Sequence, residues 1–259
     1  MRIAFEISPP STALAFIAKP TPQLRAAVAQ MESVLPPADF TAMLGAVRSA
    51  FAKYTAKLLE YSAGVPRAHA LHQLMERELQ AVATVPVSCR QGCFGCCHYE
   101  VEVTEAEAQI LMQRVQDGLT IDRLRLQEQA GRERQGPEWL RLAQPQNRCV
   151  FVGADGGCRV YEDRPAICRK HLVTSPAAAC ITPGADVTAV PVLMAEILLS
   201  AAVSLEEVPC ASLPKMLHAA LATDERDRAF ALRTDPLAKP SLPPGRVSVG
   251  EKLVRLPAA

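Results

Sequence analysis

The stretch Ser88-Cys89-Arg90-Gln91-Gly92-Cys93-Phe94-Gly95-Cys96-Cys97-His98 decides how the rest of the chain is read. Four thiols within nine residues can wrap a soft metal ion or an iron–sulfur cluster, because such a centre needs several thiolates converging within a few ångströms. Gly92 and Gly95 free the backbone where the loop must turn and leave amides available to sulfur. A disulfide between Cys96 and Cys97 is disfavoured, since adjacent residues rarely reach relaxed bridge geometry.

Outward from this loop, Cys149, Cys158, Cys168 and Cys180 follow, so eight of the nine cysteines lie between residues 89 and 180 and only Cys210 stands apart. Cysteines used merely as small core residues would scatter through the apolar helical segments, yet residues 1–88 contain none. Asp155-Gly156-Gly157 is a turn signal that folds the chain back and brings Cys149 toward Cys158. Tyr161 and Arg164-Pro165 shape the loop between Cys158 and Cys168, the proline fixing its own φ and restricting its predecessor. Arg90, Arg148, Arg159, Arg164, Arg169 and Lys170 flank the cysteines and are candidates to offset thiolate charge. His98 and His171 are candidates to replace a thiolate or to hydrogen-bond a sulfur. Cys210 reads as a buried or free thiol.

The flanking sequence reads as mostly α, a single compact helical domain with a loop-rich cysteine-cluster region. A hydrophobic fraction of 49% with 21% charged and only 5% aromatic residues suits packed helices. Residues 1–84 form a helical scaffold, with one helix entered at Thr21-Pro22, a longer one capped by Asp39 and running to about Ser62, and a third opened by Pro66. His69 and His72 neighbour each other on the third and read as packing or surface groups. Residues 85–182 carry the cysteines; within them Tyr99 to Val103 alternates as a short extended segment, and Thr104-Glu105-Ala106-Glu107 is a capping box for a helix to about Asp117. A charged helical stretch follows from Asp122 to Gln135. Residues 183–235 hold C-terminal helices: a buried core helix from Val187 to Leu205, one from Ser212-Leu213-Pro214 to about Ala222, and a further stretch ending near Arg233. A Pro-rich tail occupies 236–259.

The Val187–Leu205 segment is nearly long and apolar enough to span a membrane, but Pro191 and Glu196 interrupt it, so no membrane insertion is expected. A formal net charge of +1 provides no sustained field for a phosphate backbone, so no nucleic-acid partner is expected. Met1 to Glu6 does not read as a secretory signal, and a cytoplasmic location is expected, where thiols stay reduced and metal ligation is the better use of such a cluster.

The series Cys89-x3-Cys93-x2-Cys96-Cys97, Cys149-Val150-Phe151-Val152 and Cys158-Arg159-Val160-Tyr161-Glu162-Asp163-Arg164-Pro165-Ala166-Ile167-Cys168-Arg169 resembles the YkgJ-type cysteine-cluster family, described as chelating zinc or iron. Val150 departs from the proline common at its position. The resemblance implies a metal or iron–sulfur role and fixes no activity; some members resemble flagellin lysine N-methylases, whose cysteine domain supports methyl transfer. The three-cysteine spacing also matches radical S-adenosylmethionine enzymes, but Phe94 follows the second cysteine and Cys97 adds a ligand, which argues against that chemistry.

The expected metal ligands are Cys89, Cys93, Cys96, Cys97, Cys149, Cys158, Cys168 and Cys180, with Cys180 carried over as a family cysteine. They would hold an iron–sulfur cluster, such as a 4Fe-4S centre, or zinc; spacing alone does not choose between them. Three roles stay open: a metal-binding module that senses, carries or scaffolds with a protein partner, a metal-dependent methyl-transfer enzyme, and a purely structural zinc protein.

Overall fold

The computed structural model describes residues 12–139 and 145–234, with side chains described as far as residue 226. Among the described residues 59% are helical, and a single two-stranded sheet accompanies the helices. The mostly α expectation holds. The tail at 236–259 lies outside the described residues.

Three helices open the fold: α1 (Pro22–Val34), α2 (Pro37–Leu59) and α3 (Val65–Leu79). Thr21 caps α1 by accepting from the Leu24 amide, and Pro22 supplies a pre-set φ at the first turn. The start of α2 corrects the expectation for Asp39, which sits inside the first turn, while Pro36 occupies the cap position without a side-chain hydrogen bond. A proline ring at Pro37 favours helix entry there, and an acid in the first turn still complements the helix dipole.

The apolar segment near the C-terminus contributes α7 (Leu193–Ser204), which packs on α1, α2 and α3. Ala195, Ile197, Leu198, Leu199, Ala201 and Ala202 are all buried, so this helix is apolar almost all round because it is enclosed almost all round. It is shorter than its sequence suggested. Residues before Pro191 are extended instead, Val190 donating to the Leu172 carbonyl and Thr174 to that of Thr188. Among the described residues no helix is long and apolar enough to cross a membrane. Glu196, the acid in this segment, is paired with Lys170 and accepts from the Thr21 hydroxyl at 3.0 Å.

A second core lies on the other side of α3. It comprises α4 (Glu105–Gln116), α5 (Arg123–Ala130) and α8 (Leu213–Thr234), with α8 packed against both α4 and α5. Leu111, Leu126, Phe151, Leu213, Leu217 and Leu221 fill it, and Cys149 and Cys158 pack against it. The helix begun at Asp122 ends at Ala130, short of Gln135, with Gly131 at its C-cap. By contrast α8 is one continuous helix where the sequence suggested two stretches; no Gly or Pro interrupts residues 215–234. The extended segment near Tyr99 is confirmed as β1 (Glu102–Val103), paired antiparallel with β2 (Ala211–Ser212).

The two cores meet at Glu107. The capping box is present, with Thr104 accepting from the Glu107 amide and Glu107 accepting from the Thr104 amide. Glu107 is only 3% exposed, and its other carboxylate oxygen accepts from the Ala166 amide at 2.7 Å and pairs with His72 Nε2 at 3.1 Å. Burial alone would raise its pKa. The hydrogen bond and charge of His72, with the amides of Ala166 and Thr104, outweigh burial and hold it below the ordinary carboxylate value. His72 is therefore a packing partner for this acid, and His69 stands edge-on to it.

Candidate metal centre

The cysteine loop enters between the cores, where the Ser88 amide donates to the Val173 carbonyl at 2.8 Å. Cys93 N–H closes a turn onto the Arg90 carbonyl, with Gly92 at a φ of 87° that a side chain would strain. A short 3-10 turn, Gly95–His98, then presents Cys96 and Cys97. Gly95 is needed for a second reason: a Cβ there would lie 2.9 Å from Cys180 Cβ and 3.0 Å from the Ala177 carbonyl. The turn Ala177–Ile181 that carries Cys180 can approach only because the side chain is missing.

The downstream cysteines do fold back. Cys149 N–H donates to the Cys97 carbonyl at 2.8 Å, which joins the second limb directly to the first. The Asp155-Gly156-Gly157 turn places Cys158 opposite Val152 in an antiparallel bridge, and Gly156 has a φ of 83°. Phe94 covers this turn so closely that a Cβ on Gly156 would lie 2.7 Å from its ring. Cys168 sits in the short helix α6 (Ala166–Lys170), which packs against α3, and its amide donates to Pro165. The Ala166 amide held by Glu107 is thus in the first turn of the helix that carries Cys168.

All nine cysteines are free thiols. Cys96 is hydrogen-bonded by its neighbour Cys97. Its pKa falls to about 7, chiefly because Cys97 donates a hydrogen bond to it, and that same bond followed by burial pushes Cys97 far up. Burial raises Cys149 to about 11 and lifts Cys168 well above the ordinary thiol value. Cys89, Cys158 and Cys180 are raised by burial as well. Cys89, Cys149, Cys158, Cys168 and Cys180 all feel the charge of Cys96. Cys210 stands elsewhere, pushed up to about 11 by burial beside Glu107 and Glu102.

The cations divide in a way the sequence did not reveal. Arg164, stacked 4.0 Å over the Tyr161 ring, adds to the lowering of Cys96 and partly opposes the burial-driven rise of Cys89 and Cys158, and Arg159 likewise opposes that of Cys158. Arg169 instead is buried and anchors the α6 corner, bonding the Arg164 and Glu162 carbonyls and pairing with Glu76. Lys170 is committed to Glu196, and Arg148 reaches the Gly153 carbonyl beneath Phe94. Arg90 is exposed. Arg125, which sequence proximity could not suggest, lowers Cys149 from α5.

Among the described residues no set of three or more His, Cys, Asp or Glu side chains already stands in metal-binding geometry. The thiols are gathered without being closed on a common point. The donor chemistry is nevertheless that of a thiophilic centre: eight sulfurs from separated segments, backbone amides directed at sulfur such as Val173 N–H on Cys89 at 3.4 Å, and Arg164 to offset charge.

Residues 88–182 match the CxxCxxCC family model, which is described as a "Putative zinc- or iron-chelating domain". Three residues separate Cys89 from Cys93, one more than in the pattern after which the family is named. No curated protein and no solved structure matches the chain.

Proposed function

We propose that residues 88–182 form a metal-binding module whose ligands are drawn from Cys89, Cys93, Cys96, Cys97, Cys149, Cys158, Cys168 and Cys180. The observation that carries the reading is the folding back of cysteine-bearing segments up to 91 residues apart in sequence (89 to 180) onto the loop, with the Cys149 amide on the Cys97 carbonyl and Cys180 Cβ packed against Gly95, a clustering that core packing does not require. The family match, which names zinc or iron, supports the same conclusion. An iron–sulfur cluster is the specific form we favour, with zinc as its direct competitor, since thiolates serve both. Either would neutralise and bridge thiols that burial otherwise keeps protonated, and would lock together loops that hold little regular structure. Free thiols in such number suit a reducing, cytoplasmic compartment.

The test is anaerobic purification followed by zinc, iron and acid-labile sulfide analysis with a visible spectrum. A brown protein with matching iron and sulfide is the expected result. A colourless protein with stoichiometric zinc replaces the cluster with zinc and preserves the module; a protein with no bound metal, and none taken up on anaerobic reconstitution, overturns both.

A further inference from the structure

The helix that carries Cys168 is too short to hold its own direction. It has five residues, and a helix well under about 12 residues is marginal by itself in water. Its N-cap residue, Pro165, makes no side-chain hydrogen bond. The chain leaving α6 meets the first limb of the centre directly: the Cys89 thiol faces the His171 carbonyl at 3.6 Å and accepts from the Val173 amide at 3.4 Å. The Ser88 amide in turn donates to the Val173 carbonyl at 2.8 Å. A shift of α6 is therefore passed to Cys89 as well as to Cys168.

Arg169 fixes the direction of α6. It follows Cys168 in sequence and is 6% exposed. Its Nε donates to the Arg164 carbonyl at 2.8 Å, one terminal nitrogen donates to the Glu162 carbonyl, and the other pairs with Glu76 on α3. The first two bonds close the corner by which the chain enters α6 from Cys158, and the third pins that corner to the helical scaffold. A planar fork with donors on three nitrogens serves these three acceptors together, whereas the ammonium of a lysine is a single point of charge.

We propose that Arg169 is a positioning residue of the metal centre: by holding α6 it sets Cys168 and, through the His171 carbonyl and the Val173 amide, Cys89 for the incoming metal. Its bonds all go to oxygen, so it acts through the backbone that carries the thiols, and affinity depends on its fork rather than on its charge. The inference rests on the module proposed above and names the residue that orders two of its ligands.

Zinc affinity of the full chain, read anaerobically by competition with a chromogenic chelator, tests it beside the absorption bands of the cobalt(II)-loaded protein, which report ligand number and geometry. Arg169→Lys keeps the charge and is expected to bind zinc about 10–100-fold more weakly, the usual cost of losing a group that orients a ligand, with shifted cobalt bands. Glu76→Gln removes only the charge of the partner on α3, from an exposed position, and is expected to weaken zinc several-fold. Leu58→Ala, in the first core, destabilises the fold and should leave both readouts as in wild type. Wild-type affinity and bands in Arg169→Lys, or an equal loss in Leu58→Ala, overturn the assignment and leave the module intact. If Arg169→Lys fails to fold, Glu76→Gln decides, and wild-type affinity there overturns the assignment. A wild-type chain that takes up neither ion overturns it too, and one that also takes up no cluster on reconstitution overturns the module.

Discussion

Glu107→Ala is expected to destabilise the protein by about 3–5 kcal/mol, since it leaves several buried hydrogen-bonding groups unsatisfied at about 1–3 kcal/mol each. The substitution strips partners from His72, from the Ala166 amide and from the Thr104 amide at once. Glu107→Gln keeps the shape and one acceptor oxygen, so its cost is smaller, about 1–3 kcal/mol. Chemical denaturation of both variants beside wild type measures these values. The sign of the pH effect is set by the depressed pKa of this carboxylate. Its stabilising contribution is complete above the unfolded value of about 4.3 and is lost as pH falls through the lower folded value. The difference between wild type and Glu107→Gln should therefore narrow on acidification below about pH 4. A difference that stays constant through that range would show that the charge of Glu107 contributes nothing.

Removal of the metal is expected to be comparably costly. A ligand bound only by the folded state stabilises it by about 4 kcal/mol when free ligand is 1,000 times its dissociation constant. The segments that carry the cysteines are short turns and loops, so their order depends on that contribution. Chelation should lower the unfolding free energy by about 4 kcal/mol or more and deprotect the amides of residues 88–98 and 149–181 in hydrogen exchange. The core formed by α1, α2, α3 and α7 should keep more of its protection, because Leu24, Leu58, Met75 and Leu198 are packed without help from the cluster. Since its hydrogen bond to Cys96 and then burial hold Cys97 as a thiol, and burial does the same for Cys149 and Cys168, metal binding must displace protons and should weaken as pH falls.

Much of this arrangement was legible because the responsible signals are local. Gly92 and the Asp155-Gly156-Gly157 turn specify backbone conformations by themselves, and the Thr104–Glu107 capping box needs only four consecutive residues. What stayed hidden depends on partners distant in sequence. Glu107 reads as a cap, and its second bond goes to an amide 59 residues away. Arg169 and Lys170 look like charge for the cysteines, yet Glu76 and Glu196 claim them through the folding of α3 and α7 beside α6. Gly95 was legible as a turning residue, whereas the close approach of Cys180 that forbids a side chain there was not. The apolar run from Val187 looked longer as a helix than it is because strand-like pairing with residues 172–174 leaves no periodic trace in so short a segment.

The central claim is that the loop and the downstream cysteines build one composite centre. Metal content per chain, measured on anaerobically purified wild type beside Cys93→Ser and Cys158→Ser, tests it most directly. The two substitutions lie on opposite limbs, and both variants should lose bound metal relative to wild type while α1, α2, α3 and α7 remain helical by circular dichroism. Full metal content in both would contradict the composite centre.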